Sequence, residues 1–199
     1  MRTRRAAART LSTVDAPRLP LACALALAWA LAPAWALLAP APARAQAQPQ
    51  AAAEYAAKAA FIYKIAMFST FAAPHADPIR FCVLGRDPFG EHFRQLEGKR
   101  LGEATIAIAY PHSTAEALRQ CQIVFVSESE ADNIGALASA AKTAGVMTIS
   151  DMKGAARKGI MLELSVEDKR IAFEFNVEAA RAANIALSSK VLRLARAVY

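Results

Sequence analysis

Cys82 and Cys121 carry the most definite covalent chemistry in this sequence. They stand 39 positions apart, and they either bridge as a disulfide or stay as two buried free thiols. A bridge over that span would remove about 4 kcal/mol of chain entropy from the unfolded state. His75, His92 and His112 are isolated from one another, and no Cys-x-x-Cys or His-x-x-x-His spacing occurs, so no metal site is expected. His112 follows Pro111 without an acid or nucleophile partner and reads as a surface histidine. Ser127 and Ser150 lack the Gly-x-Ser-x-Gly elbow of an activated nucleophile and read as strand-end serines. Glu128, Glu130 and Asp132 crowd one helix start, where the macrodipole favours negative charge without any catalytic pairing. These residues supply neither an enzyme's nucleophile and base nor a cofactor cradle.

The loop Gly85-Arg86-Asp87-Pro88-Phe89-Gly90 follows a strand and opens a helix, where phosphate and dinucleotide sites are built. Its spacing fits neither motif. The dinucleotide fingerprint needs a third glycine, and a phosphate loop needs Lys and Ser or Thr where Glu91 and His92 stand. It reads as a turn and helix cap with room for an anion or small-ligand contact.

The elements around these residues alternate. A helix is expected from Glu54 to about Thr70, with Glu54 and Lys58 paired at i,i+4 and a turn through Pro74 and Pro78 after it. Apolar runs at Ile79–Leu84, Ala104–Tyr110, Gln122–Val126 and Val146–Ser150 read as strands. Helices between them start at Asp87-Pro88, at Ser113 with Glu116, and at Ser129 with Asp132; Gly145 ends the last. This rhythm predicts a single three-layer α/β domain with a mainly parallel, doubly wound sheet. In the order 2-1-3-4 the first and third strands are neighbours, which would bring Cys82 toward Cys121. Ile160–Val166 and Arg170–Phe175 are separated by three residues, too few for a crossover, so a C-terminal antiparallel hairpin is expected. Terminal helices from Val177 to Val198 follow, with Leu187, Val191, Leu194 and Val198 on one face.

The N-terminus reads as an address. The first 45 residues hold six arginines against Asp15, a net of +5, with an uncharged run from Leu19 to Leu38 and the small-x-small end Ala43-Arg44-Ala45. That pattern is a secretory signal peptide over residues 1–45, followed by a flexible linker over 46–52 and one domain over 53–199. Of the formal +7 on 199 residues, 18 basic and 16 acidic residues remain after the leader, a net of +2. The near balance, with no interleaving of aromatic and basic residues, argues against a nucleic-acid partner. An exported location is oxidising, which favours the bridged form of the two cysteines.

Six segments stand in one order: Lys58–Lys64, Phe81–Gly85, Asp87–Gly90, Cys121–Ser127, Phe173–Asn176 and Leu187–Leu192. Together they resemble the YfiR family of bacterial periplasmic proteins across nearly the whole mature chain. The resemblance implies a periplasmic repressor, not an enzyme, that binds the sensor domain of an inner-membrane diguanylate cyclase and holds cyclic-di-GMP synthesis and biofilm formation down. No cofactor and no membrane insertion after signal cleavage are expected, and a homodimer is left open. Cys82 and Cys121 match the family's better-kept disulfide; a second pair found in the family is missing, since Val146–Leu164 contains no cysteine. The expected partner surface is the late hairpin and the helix after it, with Glu174 and Asn176 facing out while Phe173 and Phe175 face the core; the alternative for Asn176 is a helix cap. A second reading is a periplasmic small-molecule binding module with its ligand near Gly85, Ser127 and Ser150, at the carboxyl ends of the parallel strands.

Overall fold

Residues 47–71 and 77–199 are described in a computed structural model of the chain. The leader expected over 1–45, the start of the linker at Gln46 and Pro74 of the turn lie outside them.

Helix α1, Ala47–Met67, begins within the expected linker, which is helical from Ala47 onward. Short strand β1, Ser69–Phe71, follows it. Strands β2 (Ile79–Leu84), β4 (Ala104–Ala109), β5 (Ile123–Val126), β6 (Met147–Ser150) and β7 (Leu162–Glu167) form the parallel part of the main sheet. Between them lie α2 (Glu91–Arg94), the two-residue strand β3 (Arg100–Leu101), α3 (Thr114–Gln120) and α4 (Ile134–Ala144). The final elements are β8 (Arg170–Phe175), α5 (Val177–Ala182), β9 (Ile185–Leu187), α6 (Ser189–Leu192) and β10 (Ala197–Val198).

The sheet runs β10-β8-β7-β6-β5-β2-β4-β3, so the expected 2-1-3-4 arrangement stands at its centre as β4-β2-β5-β6. Period-2 alternation divides the core into two layers. Phe81 and Val83 of β2, with Ile123 and Phe125 of β5, enter the cluster under α1, α2 and α5; Cys82, Leu84, Val124 and Val126 enter the cluster under α3 and α4. Strands buried on both faces need helices on both sides, which is why these runs are apolar throughout. Helix α4 buries Ile134, Leu137, Ala138 and Ala141, one face at helical spacing, and Gly145 ends it at φ +68°.

The hairpin forms as expected. Strands β7 and β8 pair antiparallel from Leu162↔Phe175 to Glu167↔Arg170. Asp168 and Lys169 both adopt positive φ, 48° and 61°, as a two-residue turn matched to strand twist requires.

Three local expectations are corrected. Asp87 does not cap a helix: its carboxylate accepts from the N–H of Phe89 in a tight turn, and α2 starts only at Glu91. Ser129 and Asp132 do not cap a helix either, because Glu128–Asn133 is a 3₁₀ segment and the Ser129 hydroxyl accepts from the N–H of Arg86 across the loop. The helix expected over 177–198 is broken into α5, β9, α6 and β10. Asn184 turns the chain at φ +56°, and Ile185–Leu187 then pairs antiparallel with β1. A free strand edge offering three ladder pairs outweighs the weak helical preference of so short a segment.

Candidate functional site

The disulfide joins the second core layer. Cys82 on β2 is bonded to Cys121, the residue that ends α3, with Cα atoms 6.1 Å apart, within the range a bridge requires. Both cysteines are buried. The neighbouring β2 and β5 bring them together, because the chain enters β5 immediately after Cys121.

At the carboxyl ends of β2, β5 and β6 lies a cleft of about 790 Å³. It sits where the chain leaves β2 in one direction and β5 in the other, the position at which open α/β sheets form crevices. Of the three expected ligand residues the cleft is lined by Ser127, whereas Gly85 and Ser150 are not on its wall. Ser150 is fully buried; its hydroxyl donates to the carbonyl of Val126 at 2.9 Å and accepts from the N–H of Met152 at 3.2 Å, so it closes the loop after β6. Gly85 shapes the loop beneath the cleft: at φ +89°, an added Cβ would stand 2.3 Å from the Ser129 hydroxyl.

The deepest charged group in the cleft is one the sequence reading placed only as a helix pair. Lys58 of α1 is buried, and its Nζ lies 2.5 Å from a Glu54 oxygen and 2.7 Å from an Asp151 oxygen. The phenol of Tyr55 donates to the same Asp151 oxygen at 3.0 Å, and the ammonium stands 4.5 Å from its ring centroid. Burial, then the neighbouring Asp151 carboxylate, pushes the Tyr55 phenol well above its ordinary range. This knot ties α1 to the loop after β6, a long-range pairing for which the sequence carries no local signal.

Glu174 and Asn176 are the expected partner residues, and neither stands free on the surface. Glu174 is buried on the sheet face opposite Phe173 and Phe175. Its carboxylate accepts from the guanidinium of Arg196 and, at 2.7 Å, from the hydroxyl of Tyr199. These two donors hold it below the usual carboxylate range, Arg196 contributing most. Arg196 also pairs with Glu167, and Arg157 donates to the Tyr199 hydroxyl at 3.1 Å. The outward orientation fails because β10 pairs alongside β8 at the sheet edge, and the side chains of Arg196 and Tyr199 that flank it close over the Glu174 carboxylate. Asn176 caps α5: its Oδ1 accepts from the N–H of Ala179 at 2.8 Å and its Nδ2 donates to the carbonyl of Ala156 at 2.8 Å.

Among the described residues no cluster of His, Cys, Asp and Glu could hold a metal ion, and no helix is long and apolar enough to cross a membrane.

The YfiR/HmsC-like family model matches residues 55–196, from within α1 to Arg196, the partner of Glu174. The chain belongs to the YfiR/HmsC-like family. YfiR-like proteins are periplasmic regulators of diguanylate cyclases. No curated protein sequence matches this YfiR-like chain. Among solved structures, a conserved domain protein from Vibrio cholerae O1 biovar El Tor is 12% identical with a TM-score of 0.52, over 73% of this chain and 60% of that one. That likeness shows a shared fold, and the YfiR-like chain spans 60% of the Vibrio protein's length. The ABC domain in complex with L-Trp from Streptococcus pneumoniae is 10% identical with a TM-score of 0.44, over 61% of this chain and 55% of that one, too distant to carry an argument.

Proposed function

We propose that this chain binds the periplasmic sensor domain of an inner-membrane diguanylate cyclase and represses it, lowering cyclic-di-GMP and biofilm formation. Family membership over residues 55–196 carries the reading, because it includes the hairpin and the chain through Arg196 as well as the α/β core. A repressor works by binding the inactive form of its partner more tightly than the active one, and equal affinity shifts nothing. The hairpin β7–β8 and the terminal segment paired along its edge are the surface assigned to that task. Val166, Leu194 and Val198 expose large apolar side chains there, and covering them with a partner would remove that apolar surface from water. Glu174 and Asn176 serve this surface from beneath, one holding the terminal segment and the other fixing α5. The experiment is a gene deletion paired with titration of the purified protein against the periplasmic domains of its host's membrane diguanylate cyclases. Saturable binding to one such domain and a rise in cyclic-di-GMP on deletion are expected; an unchanged cyclic-di-GMP level with no domain bound overturns the proposal.

The second reading, a periplasmic small-molecule binding module, draws on one observation: the cleft at the carboxyl ends of β2, β5 and β6, with Ser127 on its wall. The two readings are compatible, since occupancy of the cleft could modulate repression.

A further inference from the structure

The charges on the cleft wall are unevenly committed. Glu54 and Asp151 are both engaged by Lys58, so the two deepest carboxylates are already neutralised in part by a buried ammonium. Arg86, Lys153 and Lys158 also line the cleft, are exposed, and make no ion pair among the described residues. Glu128 is the single carboxylate on the wall without a cationic partner among the described residues. Three uncommitted cations therefore face one uncommitted carboxylate across a cavity whose lining also includes Ser127 and Ser129. Cations held apart in a walled crevice attract a negatively charged solute more strongly than the same charges spread over a convex surface. The hydroxyls add donors for its oxygens.

We infer that the cleft is a binding site for a small oxyanion, a carboxylate or phosphoryl group, held by Arg86, Lys153 and Lys158 with Ser127 and Ser129 as hydrogen-bond donors. This deepens the small-molecule reading and rests on it, independently of the cyclase. Lys58 is not the anion's primary contact, because its ammonium is already shared between two carboxylates.

The test follows backbone amide shifts in nuclear magnetic resonance spectra of the purified protein, titrated at constant ionic strength with inorganic phosphate, with acetate and with uncharged glucose. Saturable shifts at Arg86, Ser127, Ser129 and Lys153 with phosphate or acetate are expected, and the stronger of the two identifies the group. The exposed triple variant R86Q/K153Q/K158Q should weaken that binding at least tenfold while keeping the unliganded melting temperature, and Glu128→Gln should strengthen it several-fold. Should the triple variant melt early, Lys153→Gln alone serves, with a loss of at least twofold. Failure of both anions to saturate the cleft, or binding indifferent to these substitutions, overturns the inference. Glucose saturating the same amides while neither anion does would overturn the charge class and leave the small-molecule reading standing; none of the three binding would remove both.

Discussion

Glu163 and Glu174 stand directly opposite one another on β7 and β8, on the same face of the sheet and both buried. Two like charges across a ladder destabilise a sheet unless each has its own partners. Glu163 accepts from the backbone N–H groups of Gly154 at 2.9 Å and Ala156 at 3.0 Å, and it thereby fixes the loop after β6. Glu174 relies on side chains from the end of the chain instead, Arg196 and Tyr199. The pair is tolerable only while that terminal segment stays in place, so the segment is electrostatically bound to the hairpin it flanks.

Arg196→Gln is therefore expected to lower the melting temperature at neutral pH by more than an ordinary surface substitution. Its effect should depend on pH. Glu174 has a folded-state pKa below its unfolded value, so its contribution is fully present above the ordinary carboxylate range and is lost as pH falls through the lowered one. Thermal melts of both proteins between pH 7 and pH 3 should show the gap closing toward acid. A gap that holds constant would mean that Arg196 acts by packing alone.

Glu174→Gln tests the same contact from the other side. It removes two charge-assisted hydrogen bonds but also removes the repulsion from Glu163, so a net loss of about 1–2 kcal/mol is expected in urea denaturation. Tyr199→Phe removes only the hydroxyl and should cost less, about 1 kcal/mol. If Glu174→Gln proved stabilising, the repulsion would outweigh the latch.

The fold was legible wherever the physics is local or binary. Runs such as Ile123–Val126, apolar on both faces between turn signals, leave a buried parallel strand as the natural reading, and so short a connection before Arg170, two residues in the structure, permits only a hairpin. The misreadings came where a distant segment decides. Leu194 was assigned to an apolar helix face, yet it is 75% exposed, because Asn184 turns the chain and β1 captures Ile185–Leu187. Alternation along β8 correctly separated Glu174 from Phe173 and Phe175, but it could not show that Arg196 and Tyr199, at the far end of the chain, would bury the carboxylate. In the cleft, Ser127 was found through strand-end logic, whereas Tyr55, Lys58 and Asp151 meet across more than ninety residues of sequence.

In the protein without residues 1–45, which carry Cys23, the Cys82–Cys121 bridge should leave no free thiol when the unfolded, unreduced chain is labelled. Replacing both cysteines by alanine is expected to cost roughly 4 kcal/mol, because the bridge closes a span of 39 positions. Both sulfurs are buried, so reduction of the native protein should proceed no faster than local opening of the layer under α3 and α4. Rapid reduction at low denaturant would show that this layer opens independently of the rest.

Lys58→Met should be among the costliest single changes in the molecule, about 3 kcal/mol, since it strands the Asp151 carboxylate in a mostly buried place. Asp151→Asn strands the ammonium less completely, because Glu54 remains. The double variant K58M/D151N should then be more stable than the sum of the two losses implies, and a double-mutant cycle by urea denaturation measures the coupling. A coupling near zero would mean that the contact between α1 and the loop after β6 rests on Tyr55 and packing rather than on charge.

Gly85→Ala probes the floor of the cleft. The glycine holds φ +89°, where an L residue is strained, and the new methyl would push against the Ser129 hydroxyl that receives the N–H of Arg86. A loss of about 1–3 kcal/mol is expected, together with displacement of Arg86 and Ser129 from the cleft wall. Gly102→Ala is the control: its φ is +64°, but nothing lies within 4 Å of the added methyl, so it carries the backbone cost alone, about 1 kcal/mol. If Gly85→Ala costs no more than Gly102→Ala, the loop has room to move, and the close packing of Gly85 against Ser129 is not what fixes the position of Arg86.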